Sequence, residues 1–264
     1  MESVNLKKTE IHSTAVVHPW ARIGVGVKIG PYSVIGPDVS LGDGCVVGSN
    51  VLVEGVSSIG RNNRIFHGAS VGTEPQDLKY EGGRTRLRIG DDNVIREFVT
   101  INTATNEEGE TTIGSNCLLM AYAHVAHNCV LGDHVILANS VNLAGHVLVD
   151  DHAIIGGVTP VHQFVRIGKH AFVGGASRVE RDVPPFIKIA GNPPSVYGIN
   201  TVGLARRGFS DQRRMEIKKM YKLLYRSNLN VSQTVEKLEN GEFDGPDVAE
   251  LLEFLKTADR GIQK

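Results

Sequence analysis

Ile23-Gly24, Ile29-Gly30, Ile35-Gly36, Leu41-Gly42 and Val47-Gly48 place an aliphatic residue at every sixth position, each followed by glycine. The series extends back to Ile11 and Val17 and forward through Val53, Ile59, Ile65 and Val71. It resumes at Ile89, Ile95 and Ile101, then runs from Ile113 without a break to Val179. Every position in it is Ile, Leu or Val. A period of six is a multiple of two and does not fit 3.6, so it describes strands and not helices. The residues two places earlier, among them Ala15, Ala21, Val27, Ser33, Cys45, Ser57 and Ala69, are mostly small. On a strand they share a face with the aliphatic residue. Each hexad thus offers the interior one large side chain and one small one, and stacked hexads make a parallel β-helix.

Composition suits that reading. Thirty glycines and one Trp in 264 residues fit many short strands and tight corners. The length allows a real core plus a small appendage. Lys and Arg number 28 against 29 Asp and Glu, so no global field favours nucleic acid or an anionic membrane. No apolar run approaches the ~20 residues of a spanning helix. Met1 to Glu10 is charged throughout and lacks the apolar segment of a secretory signal, so the cytoplasm is the expected location. Cys45, Cys117 and Cys129 are separated by multiples of six and all take the small inward slot. They read as core filler, since a thiol in apolar surroundings is inert.

Residues 1–190 are expected to form the β-helix, with 72–88 and 102–112 leaving it as polar loops. Gly191-Asn-Pro-Pro is a turn signal, and 191–264 reads as a helical subdomain. Ser210 caps one helix, Asn230 begins a second over 231–239, and Gly245-Pro246 opens a third. A core so thin is expected to pack on the prism or on a neighbouring chain.

The hexads resemble the left-handed β-helix superfamily, in which three of them make one triangular coil of 18 residues. The left hand is what the resemblance implies, because it opposes the usual crossover rule. In such a prism residues 18 apart stack, each coil about 4.8 Å above the last. His127, Gly145 and Gln163 form one column, with His146 and His162 beside it. That clustering marks the three histidines as functional. His124, three residues from His127, either lines the site or faces solvent. His12, His18, His134, His152 and His170 read as surface or corner residues.

Local motifs are more specific. Ala123-His-Val-Ala-His-Asn-Cys129, Leu143-Ala-Gly-His-Val147, Ile155-Gly-Gly157, Val161-His-Gln-Phe164, Asp77-Leu-Lys-Tyr80 and Gly203-Leu-Ala-Arg-Arg-Gly-Phe209 resemble the UDP-N-acetylglucosamine 3-O-acyltransferases of lipid A synthesis. The likeness continues through Tyr221-Lys-Leu-Leu-Tyr-Arg-Ser227. It implies transfer of a hydroxyacyl chain from acyl carrier protein to UDP-N-acetylglucosamine in a homotrimer with sites between chains. It implies no metal and no cofactor beyond the carrier's phosphopantetheine. His127 is then the general base, for which an imidazole titrating near the operating pH is suited. Gly145 offers its backbone N–H to the oxyanion. Asp77 and Lys79 hold the sugar and the acyl or pantetheine part. His146, His162 and Gln163 line the sugar and diphosphate pocket, with His124 among the binding residues. Asn200 and Arg207 meet the uridine diphosphate, with Arg206 beside them. Gly175 leaves the acyl groove open for a chain of the order of fourteen carbons, although a glycine turning a corner accounts for it equally well.

Three positions depart from the family pattern. Asn128 follows the base where relatives can carry Asp, so another group is expected to orient His127. Asn102-Thr-Ala-Thr105 stands in place of His-Arg-Gly-Thr, which leaves the acceptor open between a 3-hydroxyl and a 3-amino group. Val202 replaces a Glu and weakens an expected ribose contact. Between Leu204 and Arg226 Lys and Arg far outnumber the acidic Asp211 and Glu216, a docking face for an acidic carrier protein or simply a solvated helix face. Other classes compete. A sister N-acyltransferase would carry an extra N-terminal domain. A γ-class carbonic anhydrase would need three imidazoles on zinc with a ligand pair five residues apart, a spacing His124, His127, His146 and His152 do not supply. A scaffold without activity is the remaining reading.

Overall fold

Glu10–Ile11 pairs in parallel with Lys28–Ile29, Val16–Val17 with Val34–Ile35, and Arg22–Ile23 with Ser40–Leu41. Each strand meets the strand 18 residues on, and the third neighbour in sequence is the first in space. This register, in a computed structural model that describes residues 8–241 and 243–264, winds the chain into a left-handed parallel β-helix. Three parallel stacks form its walls. We call them the first, second and third sheets, starting at Glu10, Val16 and Arg22. Residues 1–7 of the expected β-helix lie outside the described residues.

The hexad pattern fills the interior as anticipated. Ile35, Leu41, Val47, Val53, Leu119 and Leu143 are fully buried, and so are the small-slot residues Val27, Cys45 and Ala69. Burying each large aliphatic contributes about 1.5–3 kcal/mol. Polar small-slot residues are compensated. Asn63 Nδ2 donates to Gly90 O at 2.8 Å, and its Oδ1 accepts from Asn93 N at 3.0 Å. Asn93 repeats the contact one coil on with Gly114 O and Cys117 N. The cysteines are buried, and burial raises all three thiols, Cys117 to about 11 and Cys129 to about 12.

Both loops are shorter than the breaks in the repeat. Strands Ser70–Thr73 and Arg86–Ile89 reach into the first, and Thr100–Asn102 and Glu110–Ile113 into the second. Thr85 Oγ1 donates to Thr103 Oγ1 at 2.9 Å, and Asn102 Nδ2 donates to Thr73 Oγ1 and Glu74 O. The loops are thereby tied to each other.

The domain boundary moves. Ile187–Gly191 adds to the first sheet beside Phe172–Val173, and Pro194–Ile199 returns antiparallel to it. Residues 191–199 are therefore sheet and not helical subdomain, because the Gly191–Pro194 turn makes a hairpin rather than an exit. Four helices follow: α1 (Thr201–Arg206), α2 (Asp211–Tyr225), α3 (Val231–Glu239) and α4 (Pro246–Lys256). The last three start where their caps indicated, with Ser210 accepting from Arg213 N and Asn230 forming a reciprocal box with Gln233. Phe186, Leu204, Phe209, Met220, Leu251 and Phe254 make a second core against the end of the prism. The chain then returns to the β-helix, where Gln263 N donates to Asp182 O at 2.7 Å and Arg260 N to Asp182 Oδ2 at 3.3 Å.

Candidate active site

Three corners join the three sheets. At each, one residue per coil takes a positive φ, a conformation that Gly and Asn tolerate best. The corner between the second and third sheets carries Asn128, His146 and Phe164 at these positions, directly after His127, Gly145 and Gln163. His146 stacks on Phe164 with ring centres 4.8 Å apart and meets His127 edge-on at 5.2 Å. One aromatic ladder thus holds two of the expected site histidines.

His127 is nearly buried. Its Nδ1 lies 3.0 Å from Asn128 Oδ1. The expectation that some other group must orient the base is corrected here, because the amide takes up the contact itself. On the far side, Nε2 is 3.6 Å from Asp77 Oδ2. Asp77 reaches it from the first loop, where its Oδ1 accepts from Lys79 N at 2.9 Å. Lys79 and Leu78 at the loop tip are exposed. Gly145 sits one coil from His127, and a Cβ built on it would run into the imidazole. The Gly145 N–H donates to no acceptor among the described residues.

His124 lies on the strand leading into this corner, with Nδ1 2.7 Å from Thr100 Oγ1. It therefore lines the site and is half-buried. Burial, then the neighbouring His127, lowers its pKa. The same two causes lower His146, offset in part by Asp77. His162 and Gln163 lie further along. His162 Nδ1 is 3.1 Å from Arg260 Nη2, a tail residue that sequence reasoning did not connect with the site.

The remaining candidates lie elsewhere in the chain. Arg207 sits at the corner between the third and first sheets, close enough to His152 and His170 to help lower their pKa values. Arg206 lines a cavity of about 520 Å³ with Ile154, Phe172, Lys188 and Tyr197. Asn200 is on its wall, but its amide is already committed. Oδ1 accepts from Gly203 N to cap α1, and Nδ2 donates to His170 O at 3.0 Å. Its part is to anchor α1 to the prism, a correction to the direct ligand contact. Gly175 is at the third corner, where a Cβ would stand 3.2 Å from Gly157 O. One chain therefore brings Asp77, His124, His127, Gly145, His146, His162 and Gln163 to one corner and leaves Gly175, Arg206 and Arg207 at the others.

The corner histidines read as mere surface form a second ladder. His134, His152 and His170 stack with ring centres 4.6 and 4.7 Å apart, and Phe186 follows. Their spacing of 18 residues was the available signal. His170 is buried, which corrects its assignment to the surface. The basic face of α2 is smaller than its composition indicated. Arg213 is bidentate to Asp247, Arg214 pairs with Asp211, and Lys219 with Glu216. Lys218, Lys222 and Arg226 make no ion pair among the described residues. Nor do three His, Cys, Asp or Glu side chains gather there as a metal site.

Residues 182–263 match the family described as UDP-N-acetylglucosamine O-acyltransferase, domain 2, and residues 21–55 and 110–145 match the bacterial transferase hexapeptide. The chain is 46% identical over 254 residues to an acyl-[acyl-carrier-protein]–UDP-N-acetylglucosamine O-acyltransferase of Thermodesulfovibrio yellowstonii, covering 96% of this chain and 98% of that one. It is 49% identical over 257 residues to the protein of the same name from Herminiimonas arsenicoxydans, with coverage of 96% and 98%. The solved UDP-N-acetylglucosamine acyltransferase of Francisella novicida superposes with a TM-score of 0.93 at 41% identity, over 96% of this chain and 93% of that one.

Proposed function

Since the chain belongs to the acyl-[acyl-carrier-protein]–UDP-N-acetylglucosamine O-acyltransferase family and is an acyltransferase of that kind, we propose that it moves an (R)-3-hydroxyacyl chain from acyl carrier protein to the 3-hydroxyl of UDP-N-acetylglucosamine, the first step of lipid A synthesis. The observation that carries this reading is a hydrogen-bonded imidazole, His127, beside the uncommitted N–H of Gly145. Nε2 of His127 takes the proton of the sugar hydroxyl as its oxygen bonds to the thioester carbon. The carbonyl oxygen becomes an oxyanion and accepts from Gly145 N–H. Collapse breaks the C–S bond, and the proton passes from His127 to the departing pantetheine thiolate. Asp77, 3.6 Å from Nε2, stabilises the imidazolium in between. The acyl group arrives on phosphopantetheine, and the step as written needs no metal or further cofactor.

Lys79, His124, His146, His162 and Gln163 hold the sugar and the pantetheine end, while Arg206 and Arg207 take the diphosphate. The latter pair lies away from the His127 corner within one chain, and a single convex corner does not bury a sugar nucleotide. A cyclic trimer brings a neighbour's Arg207 and Gly175 to each His127 and closes the cleft. Lys218, Lys222 and Arg226 form the docking face for the acidic carrier, in the cytoplasm. No helix among the described residues is long and apolar enough to cross a membrane.

The test is an assay with hydroxyacyl carrier proteins of several lengths, offered both 3-hydroxy and 3-amino sugar nucleotides. Transfer to the 3-hydroxyl compound is expected, and His127→Ala is expected to lower turnover by about 10² or more while remaining folded. Near-normal turnover in the folded variant overturns the assignment of the base.

A further inference from the structure

Asn128 is held from four directions. Its Oδ1 accepts from Thr105 N at 3.1 Å and Thr105 Oγ1 at 3.0 Å. Its Nδ2 donates to Asn106 Oδ1 at 2.8 Å, and its backbone N donates to Thr111 Oγ1 at 2.8 Å. A backbone N–H can only donate, so Thr105 N identifies the oxygen of the amide and Asn106 meets its nitrogen. The atom 3.0 Å from His127 Nδ1 is consequently an acceptor. Nδ1 must then carry the hydrogen, and the lone pair is left on Nε2, the nitrogen facing Asp77. A carboxylate at 128 would present an acceptor to Nδ1 in either orientation. An amide does so in only one of its two, and the second loop selects which.

We propose that Thr105 and Asn106 are positioning residues that fix the amide of Asn128 and, through it, hold His127 in the Nδ1–H tautomer with Nε2 as the base. This rests on the reading of His127 as base. The two departures at 102–105 and at 128 then belong together. Asn102 and Thr103 are buried and tie the second loop to the first, while Thr105 applies the loop to the amide. The loop thus acts on the reaction without touching the substrate.

Two measurements test it. In protein carrying ¹⁵N-labelled histidine, the ring signals missing from His127→Ala identify His127. They are expected to report Nδ1–H in the wild type and a mixture of tautomers in Thr105→Val. Steady-state kinetics are expected to show kcat about tenfold lower in Thr105→Val with both KM values little changed, as for an interaction made in the transition state. Thr105→Ser keeps the hydroxyl and restores most of the loss. Asn128→Asp puts a charge beside Nδ1–H, and the acidic limb of kcat/KM is expected to move up by about one pH unit. A wild-type His127 protonated at Nε2, or a Thr105→Val protein with unchanged tautomer and kcat, overturns the proposal. If His127→Ala keeps its turnover, the base assignment fails and the proposal with it. If His127→Ala is inactive and Thr105→Val is normal, only the proposal fails.

Discussion

The imidazole of His127 occupies the space that a Cβ on Gly145 would need. Gly145 does not have a positive φ, and His127 and Gln163 bear side chains at the equivalent points of neighbouring coils. The corner itself therefore accepts any residue, and the glycine is required by the base alone. Gly145→Ala is expected to keep its melting temperature within a few degrees and to lose about 10² in kcat by displacing the ring. Circular dichroism and the transfer assay check both halves. A fully active Gly145→Ala protein would mean that the imidazole has room that the structure does not show.

His127 and Arg207 stand at different corners of one chain, which makes the shared site testable by mixing. In a random equal mixture of His127→Ala and Arg207→Ala chains refolded together, about a quarter of the sites in a cyclic trimer receive both intact residues. Activity is expected to rise toward that fraction, and light scattering to report three chains. A mixture as inactive as its components, or an active monomer, contradicts the arrangement.

Gly175 is exposed at its corner, and a side chain there must leave outward because Gly157 O closes the inner side. Gly175→Met is expected to shift preference toward shorter hydroxyacyl chains, at roughly 0.8 kcal/mol for each methylene excluded. Competition between carrier proteins bearing chains of different length reads the shift. An unchanged profile places the length limit elsewhere.

The second histidine ladder has a consequence for acid stability. Burial, then His152 and Arg207, pulls His170 down from 6.5 to about 3. Between those values the unfolded chain holds a proton that the folded chain refuses, so stability falls as pH drops through that window. One such site contributes at most about 1.4 kcal/mol per pH unit. His152 is shifted the same way. Replacing His170 by Phe continues the stack from Phe186 and removes the buried, unpartnered Nδ1. The difference in urea midpoint between pH 7.5 and pH 5 is expected to shrink in His170→Phe. An unaltered difference would assign the acid sensitivity to other groups.

Much of this was legible in the residues because the β-helix is a strict repeat. The position of Ile35 or Leu143 in the hexad dictates its burial, and the 18-residue step places His127 over Gly145. Caps located α2, α3 and α4, since Ser210, Asn230 and Gly245-Pro246 act through local backbone groups. Structure outside the repeat was not legible. The hairpin at 187–199 forms because an exposed sheet edge was there to receive it, which no local pattern records. The grip of Thr105 on Asn128 joins residues 23 apart across a loop of irregular length. Arg260 reaches His162 from 98 residues away.

The three thiols have a practical use. Cys45, Cys117 and Cys129 lie in the prism with their sulfurs against Gly60 O, Gly132 O and Ala144 O. Maleimide offered to the folded protein is therefore expected to modify nothing, and to modify all three only after denaturant is added. The native sequence serves as its own blank for spin or fluorophore labelling. A single cysteine introduced at the exposed corner residue Val158 would carry the sole probe of each chain. In a three-fold assembly such probes define an equilateral triangle, so pulsed electron resonance would return one distance instead of a distribution.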